Sequence, residues 1–107
     1  MKNRVQLIGH VGQDPEIKSF EGGKKVANLN LATNDVYYKE DEKVEQTEWH
    51  RVVAWGSLAT LVEKNVAKGK EIAITGRITY RNYEDKEGVK RYITEVVADE
   101  ILVMSKN

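Results

Sequence analysis

The sequence predicts an all-β protein with one short helix, and three observations support this fold class. Apolar residues alternate with polar ones in several stretches, which is the pattern of strands buried on one face. Apolar residues at helical spacing occur in one segment, around Leu58, Leu61 and Val62. Polar or glycine-containing stretches separate the alternating segments. Because the chain has 107 residues and no linker, we expect a single domain over residues 1–107.

Composition excludes several classes of protein. There is no cysteine, so a disulfide or a zinc–thiolate site is impossible, and we expect neither a metal nor a cofactor. No apolar run approaches the ~20 residues of a membrane span, and the N-terminus lacks an apolar signal segment. We therefore expect a cytoplasmic protein with no membrane partner. Basic and acidic residues number 17 each, so the net charge does not indicate whether the protein binds nucleic acid. The charge of each face has to be considered separately.

The first half of the chain reads as extended segments joined by turns. Residues 3–11 alternate as a strand, which the Gly12–Pro15 stretch ends. Residues 17–20 and 26–33 are predicted to pair across a glycine-containing turn. Residues 34–46 are highly charged, and we expect a long connecting loop there.

The second half contains the helix and the longest strands. Residues 45–55 are rich in β-branched and aromatic side chains and predict one strand. Ser57 is the expected N-cap of the helix, and Gly69 is its expected C-terminal stop. Residues 71–83 and 89–104 predict two further strands around a polar hairpin loop.

This order of elements is that of the OB-fold. Three strands, one helix and two strands form a five-stranded Greek-key barrel, which binds oligonucleotides or oligosaccharides on one face. Gly9 and Gly76 lie where strands would need to bend around such a barrel. Since one fold hosts many functions, the function has to be inferred from the site.

Alternation along residues 45–55 separates two faces. Trp49, Arg51 and Trp55 share one face, while Val52 and Ala54 on the other offer a core side. We therefore expect both tryptophans on a functional surface rather than in the core.

The strand at residues 71–83 repeats this pattern. Its predicted core side comprises Ile72, Ile74, Gly76, Ile78 and Tyr80. Its other side carries Arg77, Arg81 and Tyr83.

Rings beside cations are what a sequence-tolerant binder of single strands needs. Bases stack on the rings at ~1–3 kcal/mol each, and cations follow the backbone. The candidate rings are Tyr37, Trp49, Trp55 and Tyr83. Arg51, Arg77 and Arg81 are candidates to meet phosphates or to stack themselves. For Tyr37 and Tyr38, a ring folded back onto the barrel and a ligand contact stay equally open.

Catalysis is not expected. A metal-dependent nuclease would need converging carboxylates, and Asp14, Glu16 and Asp99 are scattered in the predicted strand arrangement. We therefore assign no catalytic residue.

Four blocks of sequence resemble the bacterial single-stranded-DNA-binding protein family. They are Gly12-Gln13-Asp14-Pro15-Glu16, Asn28-Leu29-Asn30-Leu31-Ala32-Thr33, Glu45-Gln46-Thr47-Glu48-Trp49-His50-Arg51-Val52-Val53 and Tyr92-Ile93-Thr94-Glu95-Val96-Val97. The resemblance runs in order over essentially all of the chain.

The resemblance implies an OB-fold homotetramer that wraps single-stranded DNA in replication, recombination and repair. It matches the four candidate rings to the family's base-stacking positions and His50 to a position at the subunit interface. Family members usually carry a flexible acidic-tipped tail that recruits replication or repair proteins. This chain stops at Asn107, and whether a tail was removed or never existed stays open. The alternative is a primosomal-type adaptor that mainly binds replication proteins, for which a dimer is expected instead of a tetramer.

Overall fold

The strands expected from the alternation are present in a computed structural model, which describes residues 2–104. They are β1 (Val5–Val11), β2 (Glu16–Ser19), β3 (Lys25–Lys39), β4 (Glu42–Trp55), β5 (Glu71–Glu84) and β6 (Lys90–Val103). Helix α1 (Ser57–Asn65) joins β4 to β5, and a single 3₁₀ turn (Glu21–Gly23) joins β2 to β3.

The strands close into a five-stranded barrel because β1 and β2 act as the two halves of one bent strand. Both halves pair with β3, at Val11–Leu31 and at Glu16–Asn28, on either side of the break at residues 12–15. The sheet order is β1-β5-β6-β4-β3-β2, and the β1–β3 pairing closes it. β4 and β6 run parallel where they meet, and the other pairs are antiparallel. The predicted OB-fold is confirmed.

Aliphatic side chains from the strands fill the barrel. The largest fully buried ones are Leu29, Leu31, Ile72, Ile74, Val11, Val52 and Val62. Burying a side chain of this size contributes roughly 1.5–3 kcal/mol. α1 adds Ala59 and Val62 to this core from one end. The stability of the barrel therefore depends on every second side chain of each strand pointing into the core.

The sequence predicts bends at Gly9 and Gly76, and in the structure each of the two glycines lies against the backbone of a neighbouring strand. A β-carbon on Gly9 would overlap the carbonyl oxygen of Ala32, and one on Gly76 would overlap that of Val97. The β5–β6 register also shifts between Thr75 and Gly76, which is the irregularity of a bulge. Both glycines are therefore required by backbone contact between strands.

The prediction of a long loop at residues 34–46 was wrong. β3 and β4 pair without a register shift from Val26–Trp55 out to Lys39–Glu42. A two-residue turn joins them, with Glu40 and Asp41 at φ 54° and 68°, as tight hairpin turns require. Charged residues occur here because the hairpin extends beyond the barrel and both of its faces meet water. We call residues 33–39 and 42–48 the β3–β4 ribbon.

Three smaller expectations also differ from the structure. Tyr80 is 74% exposed rather than core, because β5 continues past the end of the barrel. Ser57 is the first helical residue, and Gly56 (φ 63°) occupies the cap position without a side-chain hydrogen bond. The helix ends at Asn65, where the Val66 N–H donates to Val62 O, well before Gly69.

Within residues 2–104 no helix has the length and apolarity to cross a membrane.

Asp85 organises the turn between β5 and β6. Its carboxylate accepts hydrogen bonds from the backbone N–H of Glu87 at 2.9 Å and of Val89 at 3.0 Å. Arg91 Nε donates to the same carboxylate at 3.0 Å. These bonds, that of Val89 first, lower the pKa of Asp85 below its usual 3.8.

We expect this turn to loosen in acid. Because the pKa of Asp85 is lowered in the folded state, its ionised carboxylate stabilises the fold at pH values above the unfolded-state pKa. This stabilisation is lost as the pH falls through the folded-state pKa. The amide signals of Glu87 and Val89 in ¹H–¹⁵N NMR should therefore titrate together with a midpoint below 3.8. In Asp85→Asn this titration should be absent. A midpoint at or above the usual aspartate value would contradict the proposed role of these bonds.

Candidate nucleic-acid interface

The outer face of β4 presents both tryptophans to solvent. Trp49 is 63% and Trp55 50% exposed, while Val52 and Ala54 on the inner face are completely buried. Arg51 lies between the two indoles on the outer face and is also exposed. The expectation that the core lies on the opposite side of this strand from the tryptophans is confirmed.

A polar groove runs beside Arg51. Directly across the β3–β4 pairing, Arg51 faces Asn30. The groove is lined by Gln13, Asp14, Glu16, Lys18, Asn28, Leu29, Asn30, Arg51 and Arg81. The fold thereby brings together two of the three predicted arginines, from β4 and β5, which lie thirty residues apart in the sequence.

The three arginines differ in how far their charge is already neutralised. Arg81 donates through Nε and Nη2 to the Glu95 carboxylate, at 3.0 and 3.3 Å. These hydrogen bonds raise the pKa of Arg81, and the adjacent negative charge raises it further. Arg77 lies 3.9 Å from a carboxylate oxygen of Asp99. Arg51 makes no ion pair within residues 2–104, so its guanidinium is the one most available to a ligand.

Glu95 was missed by the sequence reasoning. Its side chain is only 8% exposed, and Arg81 is its ion-pair partner. A charge held in a buried position needs such a partner. The pairing joins β6 to β5 across fourteen residues of sequence, and no local pattern predicts it.

The two predicted tyrosines lie in different places. Tyr83 is on the outer side of β5, two residues from Arg81, and is 44% exposed. Tyr37 pairs with Val44, and alternation puts it on the opposite face of the β3–β4 ribbon from Trp49. The structure therefore brings Tyr83 to the arginine side but does not bring Tyr37 to the tryptophans.

His50 lies on the inner side of β4. Its Nε2 is 2.9 Å from Thr33 Oγ1, and the ring is half-buried. The same region forms a groove with Leu7 and the exposed Ile8 of β1. Among residues 2–104 no cluster of three or more His, Cys, Asp or Glu side chains is suited to hold a metal. Asp14, Glu16 and Asp99 thus form no such group.

Comparison with known proteins identifies the family. The model of the single-strand binding protein family matches residues 2–104. The chain belongs to that family. A solved structure described as a Plasmodium falciparum SSB complex with ssDNA superposes with a TM-score of 0.90 at 29% identity, over 98% of this chain and 97% of that one.

Curated bacterial members of the single-strand binding protein family are similar over nearly the whole chain. Single-stranded DNA-binding protein 1 of Xylella fastidiosa is 42% identical over 97% of this chain and 78% of its own length. The Bacteroides thetaiotaomicron single-stranded DNA-binding protein is 44% identical over 96% of this chain and 66% of its own length. The Chlorobaculum tepidum single-stranded DNA-binding protein 1 is 40% identical, and the chain spans 64% of its length.

The indole of Trp49 packs against the backbone at Gly12. A methyl carbon added at Gly12 would lie 2.6 Å from Cη2 of the indole and closer still to Cζ3. The backbone is fixed there, because the Gly12 N–H donates to Asn30 O at 2.9 Å and Asp14 Oδ1 accepts from the Lys68 N–H at 2.9 Å. The turn after β1 therefore holds one edge of the ring and leaves the rest exposed.

Proposed function

We propose that the protein binds and protects single-stranded DNA without regard to sequence, in replication, recombination and repair. The observation that carries this proposal is the pair of exposed indoles on one sheet face, with Arg51 between them making no ion pair within residues 2–104. Bases of any identity stack on such rings, and the guanidinium can meet the phosphates between them. The names of the bacterial relatives and the DNA-bound family structure favour this function over a primosomal-type adaptor.

The proposed contact residues have graded roles. Trp49 and Trp55 would supply most of the stacking, at ~1–3 kcal/mol per base. Tyr83 would supply a further ring beside Arg81, and Arg77 a flanking cation. Arg51 would be the principal phosphate contact, because Arg81 and Arg77 already face Glu95 and Asp99.

The protein would act by binding alone. We propose one DNA-binding domain over residues 1–107, in the cytoplasm and associated with the nucleoid, without a metal, a cofactor or a chemical step. Replication or repair proteins would be its further partners. Recruitment through a tail concerns the chain after Met104, and Ser105–Asn107 lie outside the described residues.

Substitution of the tryptophans tests the proposal. Trp49→Ala and Trp55→Ala should each weaken binding of a labelled oligo(dT) by about 1–3 kcal/mol, because a stacked base is lost. Fluorescence anisotropy measures this without relying on the indoles. Tyr80→Ala is the matched control, since this exposed ring lies on the other side of β5 from Arg81 and Tyr83. Unchanged affinity of both tryptophan variants would overturn the proposal.

Salt dependence distinguishes the arginines. The slope of log affinity against log salt should fall in magnitude by about 0.7 in Arg51→Gln, as for one lost phosphate contact to a single strand. Arg81→Gln should change the slope less, because Glu95 already neutralises this charge. Oligo(dT) titrations at a series of salt concentrations measure both. A larger loss of slope in Arg81→Gln than in Arg51→Gln would show that the phosphate displaces Glu95.

We also propose that the protein assembles as a homotetramer with His50 near an interface. Within residues 2–104, β1 pairs with β5 from Val5 to His10 but with β3 only at His10 and Val11. The second edge of residues 5–9 is therefore open to strand pairing, and the exposed Ile8 and the half-buried His50 lie beside it. Light scattering should give four times the protomer mass of 12.2 kDa. A dimer would favour the adaptor instead.

A further inference from the structure

We propose that Glu95 weakens the binding of DNA to the outer face of the sheet, because its carboxylate occupies the edge of Arg81 that would otherwise bind a phosphate. Glu95 then limits both the affinity and the salt dependence of the candidate interface, and replacing it with a neutral residue should strengthen binding. The inference rests on the proposed function and adds a residue that opposes it.

Glu95 lies near the centre of the outer face, between two of the candidate arginines. β4 and β6 run parallel, with Val53 paired to Val97. Arg51 and Glu95 each come two residues before this pair, so alternation places them next to each other on the same face. Arg81 reaches Glu95 from β5 on the other side. A carboxylate is therefore placed between two cations, where it would repel a phosphate backbone.

The contact between Glu95 and Arg81 uses the donors that a phosphate would use. Nε and Nη2 of Arg81 donate to the two carboxylate oxygens, at 3.0 and 3.3 Å. Arginine binds carboxylates and phosphates alike through such a pair of parallel hydrogen bonds. Glu95 and a DNA phosphate therefore compete for the same edge of the guanidinium.

Displacement of Glu95 by a phosphate is unfavourable because the carboxylate is nearly enclosed. Its side chain is 8% exposed, and within residues 2–104 Arg81 is its only ion-pair partner. Together with Trp49 and Arg51, it lines a cavity of about 230 Å³ between β4 and β6. Separating the pair would leave an uncompensated charge in this enclosed position. We therefore expect Glu95 to stay on Arg81 when DNA binds.

A neutral side chain of the same length tests the inference. Glu95→Gln leaves no buried charge, and Arg81 is 55% exposed, so water can solvate the freed guanidinium. The variant should bind oligo(dT) roughly two- to fivefold more tightly at low salt, the scale of one exposed ion pair. The slope of log affinity against log salt should increase in magnitude by about 0.7, as for one added phosphate contact. Fluorescence anisotropy at a series of salt concentrations measures both. Affinity equal to or below that of the parent would overturn the inference.

Two further variants assign the gain to Arg81. Glu100→Gln changes the net charge equally, but this exposed residue lies opposite Thr75, beyond the bulge. It is roughly 15 Å from Glu95 along β6, farther than the screening length of ~8–10 Å, so binding should not change. Arg81→Gln in the Glu95→Gln background should remove the added slope of about 0.7. An equal gain in Glu100→Gln, or a gain that survives in the double variant, would contradict competition for Arg81.

A crystal structure of the parent protein with oligo(dT) tests the inference without a substitution. The two hydrogen bonds between Arg81 and Glu95 should remain, and the nearest phosphate should contact Arg51 instead. A phosphate on Nε and Nη2 of Arg81, in place of the carboxylate, would overturn the inference. If the parent binds oligo(dT) and Glu95→Gln binds no more tightly, the inference fails and the proposed function stands. If the parent does not bind oligo(dT), the proposed function itself fails.

Discussion

The burial of one side of β4 is the constraint from which the candidate interface follows. Val52 and Ala54 are completely enclosed by the barrel and α1. Successive side chains of a strand point to opposite faces, so Trp49, Arg51 and Trp55 are forced outward. Moving the indoles inside would require a one-residue slip, which would expose the aliphatic set to water. Core packing and presentation of the rings are thus two results of a single register.

The availability of each arginine depends on the carboxylates near it and not on the net charge of the chain. The chain has no net charge, yet carboxylates neutralise the arginines of the candidate interface to different degrees. Glu95 is nearly enclosed, and separating it from Arg81 would leave a charge with little access to water. Arg51 lies across from the neutral Asn30 and has no such constraint. The acidic partners therefore determine which cation is available, something that composition cannot reveal.

Much of the fold could be read from the sequence because burial imposes a period of two on the strands. This reasoning located much of the barrel core, the glycine at the β5–β6 bulge and the exposed tryptophans. It failed where the strands leave the barrel, since both faces of a ribbon meet water and the apolar alternation disappears. Residues 34–46 therefore looked like a loop, and Tyr80 looked like core. With the ribbon misread, the faces of Tyr37 and Tyr38 could not be distinguished.

Contacts between segments that are distant in the sequence could not be predicted from local patterns, for a different reason. Nothing near Gly12 in the chain indicates that an indole from β4 rests against it. The Arg81–Glu95 pair likewise depends on how β5 and β6 align past the bulge at Gly76. Such contacts become visible only once strand order and register are known.

The two hairpins that leave the barrel make the molecule larger than its mass requires. Its radius of gyration is 15.7 Å, against about 13 Å for a compact domain of this length. Extending existing strands gives the molecule a longest dimension of 55 Å while adding little interior that must be packed. A small protein thereby presents a longer surface along which a flexible polymer can lie. The length of that surface is set by the length of the hairpins and does not depend on the size of the hydrophobic core.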